Sequence, residues 1–270
     1  MRPALLTGIL LTFYMGNYWA NKSHSSLNLW LPASIGLLLA FSFGNVMNDI
    51  YDQDIDRINE PNRPLVSGKL SQKDALVFAI SSAVCAILAS ISSGIISIIG
   101  TSLIILLGIF YSHPKVQLSR KGWFSTFLLI LAYYFIPFWS GFFLTTGSKP
   151  RLDAILLFGA LLSLGISKVL LKDFKDVRGD TQYKKITPLS LLGSKKILII
   201  SSSLAIIGLL SLSFLAKLYI RTPFNFLIIL AGTLYCISFL YPVLLSKQKT
   251  LWKQIPRVFL ILLFALLLAA

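Results

Sequence analysis

The chain has 270 residues, 56% of them hydrophobic and only 13% charged, with a mean hydropathy of +0.77. Soluble domains carry about a quarter charged residues, so a water-soluble globule is excluded. The formal net charge of +15 calls for an anionic partner, and the placement of that charge along the chain decides which kind.

The apolar residues come in blocks that reach the roughly 20 residues a helix needs to cross a bilayer. Short alternating strands of the kind a β-barrel requires are missing. The expected fold is all-α: a polytopic membrane helical bundle of about nine transmembrane helices, one domain over residues 1–270. In chain order the predicted spans are Pro3–Ala20, Leu29–Met47, Ala75–Ser93, Gly94–Tyr111, Trp123–Thr146, Leu152–Leu171, Ile197–Ala216, Pro223–Leu245 and Pro256–Ala269. No small-residue cleavage site follows a short apolar core at the start, so the first span is expected to begin the bundle rather than to be a signal peptide. Only serines and Gly94 separate the third span from the fourth. Cys85 and Cys236 both fall inside apolar spans and read as small buried hydrophobes, with no disulfide expected.

The charges sort by side. If the N-terminus and the loops after spans two, four, six and eight share one face, that face holds Arg2 and most of the other bases. Residues 48–74 carry four Lys/Arg, 112–122 three, 172–196 seven and 246–257 four. The other face holds Lys22, Lys149, Arg151, Lys217 and Arg221. The positive-inside rule then places the basic loops in the cytoplasm, where they also attract anionic lipid. The bilayer accounts for the charge, and no nucleic-acid partner is expected.

The chain has ten acids, and all but Asp153 belong to that same face. Asn48–Pro64 reads NDIYDQDIDRINEPNRP and holds five of them. Asp49, Asp52 and Asp56 stand at i, i+3 and i+7, and Asp173, Asp176 and Asp180 repeat the spacing after span six. On a continuous helix each triplet lies along one face. Like charges on one face destabilise a helix, and a divalent cation offsets that. An acid-rich loop is usually a solvated surface. Two clusters with matching spacing, in a chain with almost no other acids, favour a site. Carboxylate oxygens suit Mg²⁺ or Mn²⁺, and Mg²⁺ is commonly held by one or two carboxylates plus substrate phosphates. Asn48 adds a neutral oxygen beside the first cluster.

The bases of the same loops fit a phosphate-bearing substrate. Arg57, Arg63, Lys115, Arg120, Lys121 and Lys172 are placed to contact phosphate oxygens. Lys168 lies about one turn inside span six, on the face of Lys172, where an ionisable residue is a functional-site hypothesis or a snorkelling lysine. Asp54 and Glu60 lie off the spaced face and read as surface. Lys184, Lys185, Lys195 and Lys196 read as positive-inside determinants. Acids for metal and bases for oxygens at one membrane face suggest a lipid-linked or isoprenoid diphosphate.

With these residues in place, a resemblance is specific. NDIYDQDID resembles the NDxxDxxxD motif of the UbiA superfamily of intramembrane prenyltransferases, and KDFKDVRGD resembles that superfamily's second motif, in which a Lys precedes DxxxD by four. The first motif matches Asn48, Asp52 and Asp56, the second Lys172, Asp176 and Asp180. Nearly the whole chain is covered, including Arg2-Pro3 before the first span. DQDIDRINEPNRPLVSGKLS is similar to both chlorophyll synthases and digeranylgeranylglyceryl phosphate synthases. YSHPKVQLSRKGW and IPFWSG lean to the former, whereas Lys172, standing where chlorophyll synthases usually have Asn, leans to the latter and to the quinone branches.

The resemblance implies Mg²⁺-dependent transfer of a polyprenyl, geranylgeranyl-like group from its diphosphate to a lipophilic acceptor: a tetrapyrrole, a quinone precursor or a glyceryl phosphate lipid. It implies two ions, with Mn²⁺ an alternative to Mg²⁺. Asn48, Asp52 and Asp56, supported by Asp49, are assigned to one, and Asp176 and Asp180, supported by Asp173, to the other. Lys172 and Arg63 are first for the diphosphate, then Lys115, Arg120 and Arg57, with Lys168 beside them. Asp52, Asp56, Lys172, Asp176 and Asp180 form the expected catalytic set. The aromatic run Tyr133–Trp139 reads equally as lining for a prenyl groove or as ordinary packing. Two alternatives remain: a UbiA-type terpene cyclase, and a transporter or flippase of anionic lipid, disfavoured because the charges crowd one face instead of lining a path.

Overall fold

Ten α-helices and their connections, over residues 3–21, 26–145 and 149–219, make up the described part of this computed structural model. The predicted spans at Pro223–Leu245 and Pro256–Ala269, with Cys236 and the basic loop 246–257, lie outside the described residues.

The first helix, α1, is Pro3–Asn21, and α2 is Leu27–Tyr51. A seven-residue helix, α3 (Gln53–Asn59), follows after a break at Asp52. Ser71 starts α4 (Gln72–Ile91) by accepting from the Asp74 N–H at 3.1 Å while donating to the Asp74 carboxylate, which satisfies one of the orphan donors of a helix start. The boundary near Gly94 is real. Gly94 sits at φ 91°, a conformation open to glycine, and α5 (Ile95–Ser112) begins beside it.

The fifth predicted span is one membrane-length element, Trp123–Phe143, but not a uniform helix. It starts as α6 (Trp123–Ile130), loosens into a π-helical turn over Leu131–Phe135, and resumes as α7 (Ile136–Phe143). Pro137 has no N–H to return to the carbonyl four residues back, so the ladder must slip around it. Next come α8 (Leu152–Leu171), a 3₁₀ turn at Lys172–Phe174, the short α9 (Val177–Gln182), and α10 (Pro188–Tyr219), which bends at Gly193 (φ 77°).

Six of these segments are long and apolar enough to cross a membrane among the described residues. Helix α2 packs on α4 and α5, α1 on α7, and α8 on α10. The outer faces stay apolar: Val77, Ile80, Val84 and Leu88 on α4 are all exposed, as lipid-facing side chains should be. Cys85 lies on this face too and is exposed, which corrects its reading as a buried residue. Apolar character does not separate a lipid-facing position from a core position in a bilayer.

Between helices, close approach replaces hydrophobic drive. A Cβ added to Gly16 would lie 2.0 Å from the Phe138 carbonyl oxygen, and one on Gly141 2.0 Å from that of Phe13. Helices α1 and α7 therefore touch backbone to backbone, and Asn17 Nδ2 donates to the Gly141 carbonyl at 3.1 Å across the same seam. Gly44 and Gly108 do likewise for α2 and α5. Ser90 and Thr101 join α4 to α5 with a buried hydroxyl pair at 2.7 Å.

Gly141→Ala should destabilise the bundle by about 1–3 kcal/mol, the usual cost of overpacking. Gly159→Ala, on the same apolar background but with nothing within 4 Å of the added carbon, should be neutral. Thermal unfolding in detergent checks the pair, and equal midpoints would contradict the crossing.

Candidate active site

At one end of the bundle, α2, α3, α8 and α9 surround the polar mouth of a cavity of about 520 Å³. Its inner part is apolar, with Leu5, Ala40, Phe41, Ile104, Leu107 and Leu128 on the walls. Its outer part carries Asn48, Asp52 and Asp56 on one side and Asp176 and Asp180 on the other. The two acid motifs, more than a hundred residues apart in sequence, thus face a single space.

Neither triplet lies on a continuous helix. The backbone leaves the helical region at Asp52 (φ −99°, ψ 15°) and again at Asp176 (φ −99°, ψ 5°). Each break starts a short helix that carries the next carboxylate, Asp56 on α3 and Asp180 on α9. Asp52 is 7% exposed, Asp56 6% and Asp180 5%, so these acids are withdrawn from water and need partners.

The partners are mostly bases. Arg63 folds back onto Asp49 at 2.6 Å and onto Asp56. Asn48 Nδ2 donates to Asp52 Oδ2 at 2.8 Å. Lys172 pairs with Asp173 at 3.2 Å, and its ammonium donates to the Tyr111 hydroxyl at 3.5 Å. Lys175 reaches Glu60 at 3.0 Å and Asp176 at 3.8 Å. Asp49 and Asp173, read as metal supports, do not line the cavity. Each instead holds a base that does.

Asp180 differs from the rest. Both of its carboxylate oxygens are buried without a hydrogen-bond donor, with the Lys185 ammonium 3.6 Å from one of them. Burial pushes its carboxyl up to about 6, with nearby Lys185 opposing the shift. Asp176 is raised as well, again by burial, against the pull of Lys175, Lys172 and Lys185. Burial alone would lower the Lys185 ammonium, but Tyr111, Asp180 and Asp52 outweigh it and raise it. A buried carboxylate that lacks donors fits a cation better than an apolar wall. No three carboxylates converge tightly enough to cage a metal among the described residues. That suits Mg²⁺, which is normally completed by water and phosphate.

Several predicted phosphate contacts fall elsewhere. Arg57 pairs with Asp54 at 3.2 Å on an exposed surface, and Lys115, Arg120 and Lys121 are not on the cavity wall. A short contact between Lys121 and Ile186, with Gly122 N–H donating to the Ile186 carbonyl at 3.0 Å, instead ties that loop to the start of α10. Lys168 does line the cavity, one turn deeper than Lys172.

Other lining residues read as surface in the sequence or carry no site signal there. Lys185 arrives because Lys184 adopts a left-handed conformation (φ 52°) and the Lys185 N–H bonds back to the Asp180 carbonyl at 2.8 Å. Glu60, Lys175 and Asn59 also face the cavity. Lys175 lies inside the second motif, next to Asp176, whereas Lys185 comes five residues after Asp180 and depends on the reversal at Lys184, which helical spacing cannot foresee. The aromatic run divides. Tyr133 and Tyr134 line the cavity from the π-helical turn, whereas Phe138 is buried in the core and Trp139 packs on Phe142, Phe143 and Phe158.

The family model described as the UbiA prenyltransferase family matches residues 9–269. The chain belongs to this family. Among UbiA relatives, a digeranylgeranylglyceryl phosphate synthase of Methanosphaera stadtmanae is 28% identical over 254 residues, covering 92% of this chain and 87% of the relative. A chloroplastic chlorophyll synthase of Arabidopsis thaliana is 32% identical over 190 residues, 66% of this chain but 47% of the plant protein, so the chain spans less than half of that relative. Two solved UbiA homologues share the fold. The one from Aeropyrum pernix K1 superposes with a TM-score of 0.77 at 16% identity, over 99% of this chain and 98% of that one. One from Archaeoglobus fulgidus, bound to GPP and Mg²⁺, gives 0.68 at 17% identity, over 98% and 96%. With the apolar helices, membership in this family makes the chain an integral, multi-pass membrane protein.

A cation at the second motif must compete with the proton on Asp180. Because burial raises that carboxyl to about 6, Mn²⁺ affinity should hold steady above pH 7 and fall about tenfold per unit below 6. Mn²⁺ titrations followed by electron paramagnetic resonance check this, and a flat affinity down to pH 5 would contradict it.

Proposed function

We propose that this UbiA-family chain, one domain over residues 1–270, transfers a polyprenyl group of geranylgeranyl type from its diphosphate to a lipophilic acceptor. The acceptor is a glyceryl phosphate lipid, a tetrapyrrole or a quinone precursor. The observation that carries this reading is the cavity itself: a single space whose apolar depth opens onto two facing carboxylate sets, with Asp52, Asp56 and Asp180 buried, Asp176 half-buried and bases beside them. An isoprenoid diphosphate has that same division, an apolar tail and a polyanionic head.

Breaking the allylic C–O bond puts negative charge on the diphosphate and positive charge on the prenyl carbon. Mg²⁺, or Mn²⁺ in its place, would be held by Asn48, Asp52 and Asp56 on one side and by Asp176 and Asp180 on the other. Bound there, two ions would supply Lewis-acid stabilisation of the leaving diphosphate. Arg63 beside the first set, and Lys172, Lys175 and Lys185 beside the second, take the remaining phosphate oxygens, stabilising charge that develops only as the bond breaks. Five acids and five bases line the cavity among the described residues. Two divalent cations and a diphosphate nearly cancel one another, so a balanced wall suits that complex.

The prenyl carbon comes to lie at the boundary between the two parts of the cavity, where Tyr111, Tyr133 and Tyr134 are found. Aromatic faces favour a nearby positive charge, and the apolar walls exclude the water that would quench it. Lys168, one turn below Lys172, is within the same boundary layer and serves the phosphate or the acceptor. The loops that carry these groups face the cytoplasm, by the distribution of Lys and Arg.

Purified protein given geranylgeranyl diphosphate, Mg²⁺ and each class of acceptor should form a prenylated product, and EDTA should abolish it. Asp52→Ala and Asp176→Ala should each lower the rate by about a hundredfold or more. Undiminished transfer by either variant would overturn the two-sided site. A cyclic hydrocarbon formed without acceptor would overturn transfer in favour of cyclisation.

A further inference from the structure

The first four N–H groups of a helix lack partners within it, and the N-cap side chain ordinarily accepts from the second or third. In α9 the N-cap is Asp176, an acid well suited to that task, yet its side chain makes no capping hydrogen bond. The N–H that it would take, that of Gly179, is already occupied. Asn59 Oδ1, at the end of α3 on the other side of the cavity, accepts it at 2.8 Å.

We propose that Asn59 is a positioning residue. By capping α9 from α3, it releases the Asp176 carboxylate into the cavity and sets the gap between the two acid sets. This rests on the reading of the site given above.

The placement supports both parts of the inference. Asn59 follows Asp56 by three residues, on the same face of α3, and Gly179 immediately precedes Asp180. The hydrogen bond therefore links the neighbourhoods of the two most buried cavity carboxylates directly. Helices of seven and six residues have little stability of their own, so their cross-contacts decide where they sit. A second contact, Lys175 to Glu60 at 3.0 Å, runs parallel to the first. The fit at Gly179 is tight: a Cβ there would lie 2.6 Å from Asn59 Nδ2. Without the Asn59 oxygen, the vacant N–H draws the Asp176 carboxylate back onto its own helix and away from the cavity.

The test is Mn²⁺ affinity of the full chain in the presence of inorganic pyrophosphate. Asn59→Ala should weaken binding about tenfold or more, as loss of a group that orients a ligand does. Asn59→Asp keeps the accepting oxygen and should stay within about threefold of the wild type by the same measure. Gly179→Ala, which pushes the amide away, should reproduce the weakening even though alanine favours the helix over glycine. It carries the comparison if Asn59→Ala does not fold. Wild-type affinity in Asn59→Ala or Gly179→Ala, or an Asn59→Asp variant as weak as Asn59→Ala, would overturn the positioning role. A wild-type chain that does not bind Mn²⁺ with pyrophosphate would overturn the reading of the site, and the positioning role with it.

Discussion

Buried carboxylates that do not neutralise one another are the constraint on which the rest of this structure depends. Asp52 and Asp56 on one side, and Asp180 with half-buried Asp176 on the other, share a space partly withdrawn from water, where like charges repel more strongly than in bulk solvent. The chain answers with interposed bases. Arg63 spans Asp49 and Asp56, Lys172 holds Asp173, Lys175 links Glu60 to the second set, and Lys185 sits beside Asp180. Asp180 is left with buried oxygens that no donor satisfies. The arrangement is incomplete on its own terms and asks for a ligand that carries both signs of charge.

The backbone is shaped around that requirement. Breaks at Asp52 and Asp176 redirect each chain segment and bring successive acids to one space. Glycine crossings bring α1 onto α7 and α2 onto α5 at backbone contact, which fixes the walls of the apolar part. The π-helical turn before Pro137 carries Tyr133 and Tyr134, and both line the cavity. Irregular backbone at membrane depth is tolerated where it borders protein or a cavity, and here it occurs at the cavity wall.

Much of this was legible in the sequence. Long apolar blocks announce the spans because the bilayer requires them, and the two acid motifs stand out because the chain holds so few other acids. The structure brings Asn48, Asp52, Asp56, Arg63, Lys168, Lys172, Asp176 and Asp180 to one cavity. What helical spacing could not supply is the course of the chain between helices. It aligned Asp49 and Asp173 with the cavity acids, but each break comes after them, so the later acids turn to the cavity while these two stay on Arg63 and Lys172. It missed Lys185, which depends on a left-handed residue at Lys184, and Glu60, which depends on a lysine from the opposite motif. Arg57 reads as a phosphate contact because it follows Asp56, and Lys115 and Arg120 because their loop shares the membrane face of the acids, but neither adjacency nor a shared face puts a side chain on the cavity wall. Cys85 was misread because an apolar span has two apolar faces.

On the proposed reading, the two acid sets become one site only when a diphosphate bridges them. Titrating Mn²⁺ into the purified chain with and without inorganic pyrophosphate tests it most directly. Mn²⁺ alone should bind weakly, and its affinity should be at least about tenfold higher with pyrophosphate, as for ions completed by phosphate oxygens. Equal affinity in the two titrations would contradict it.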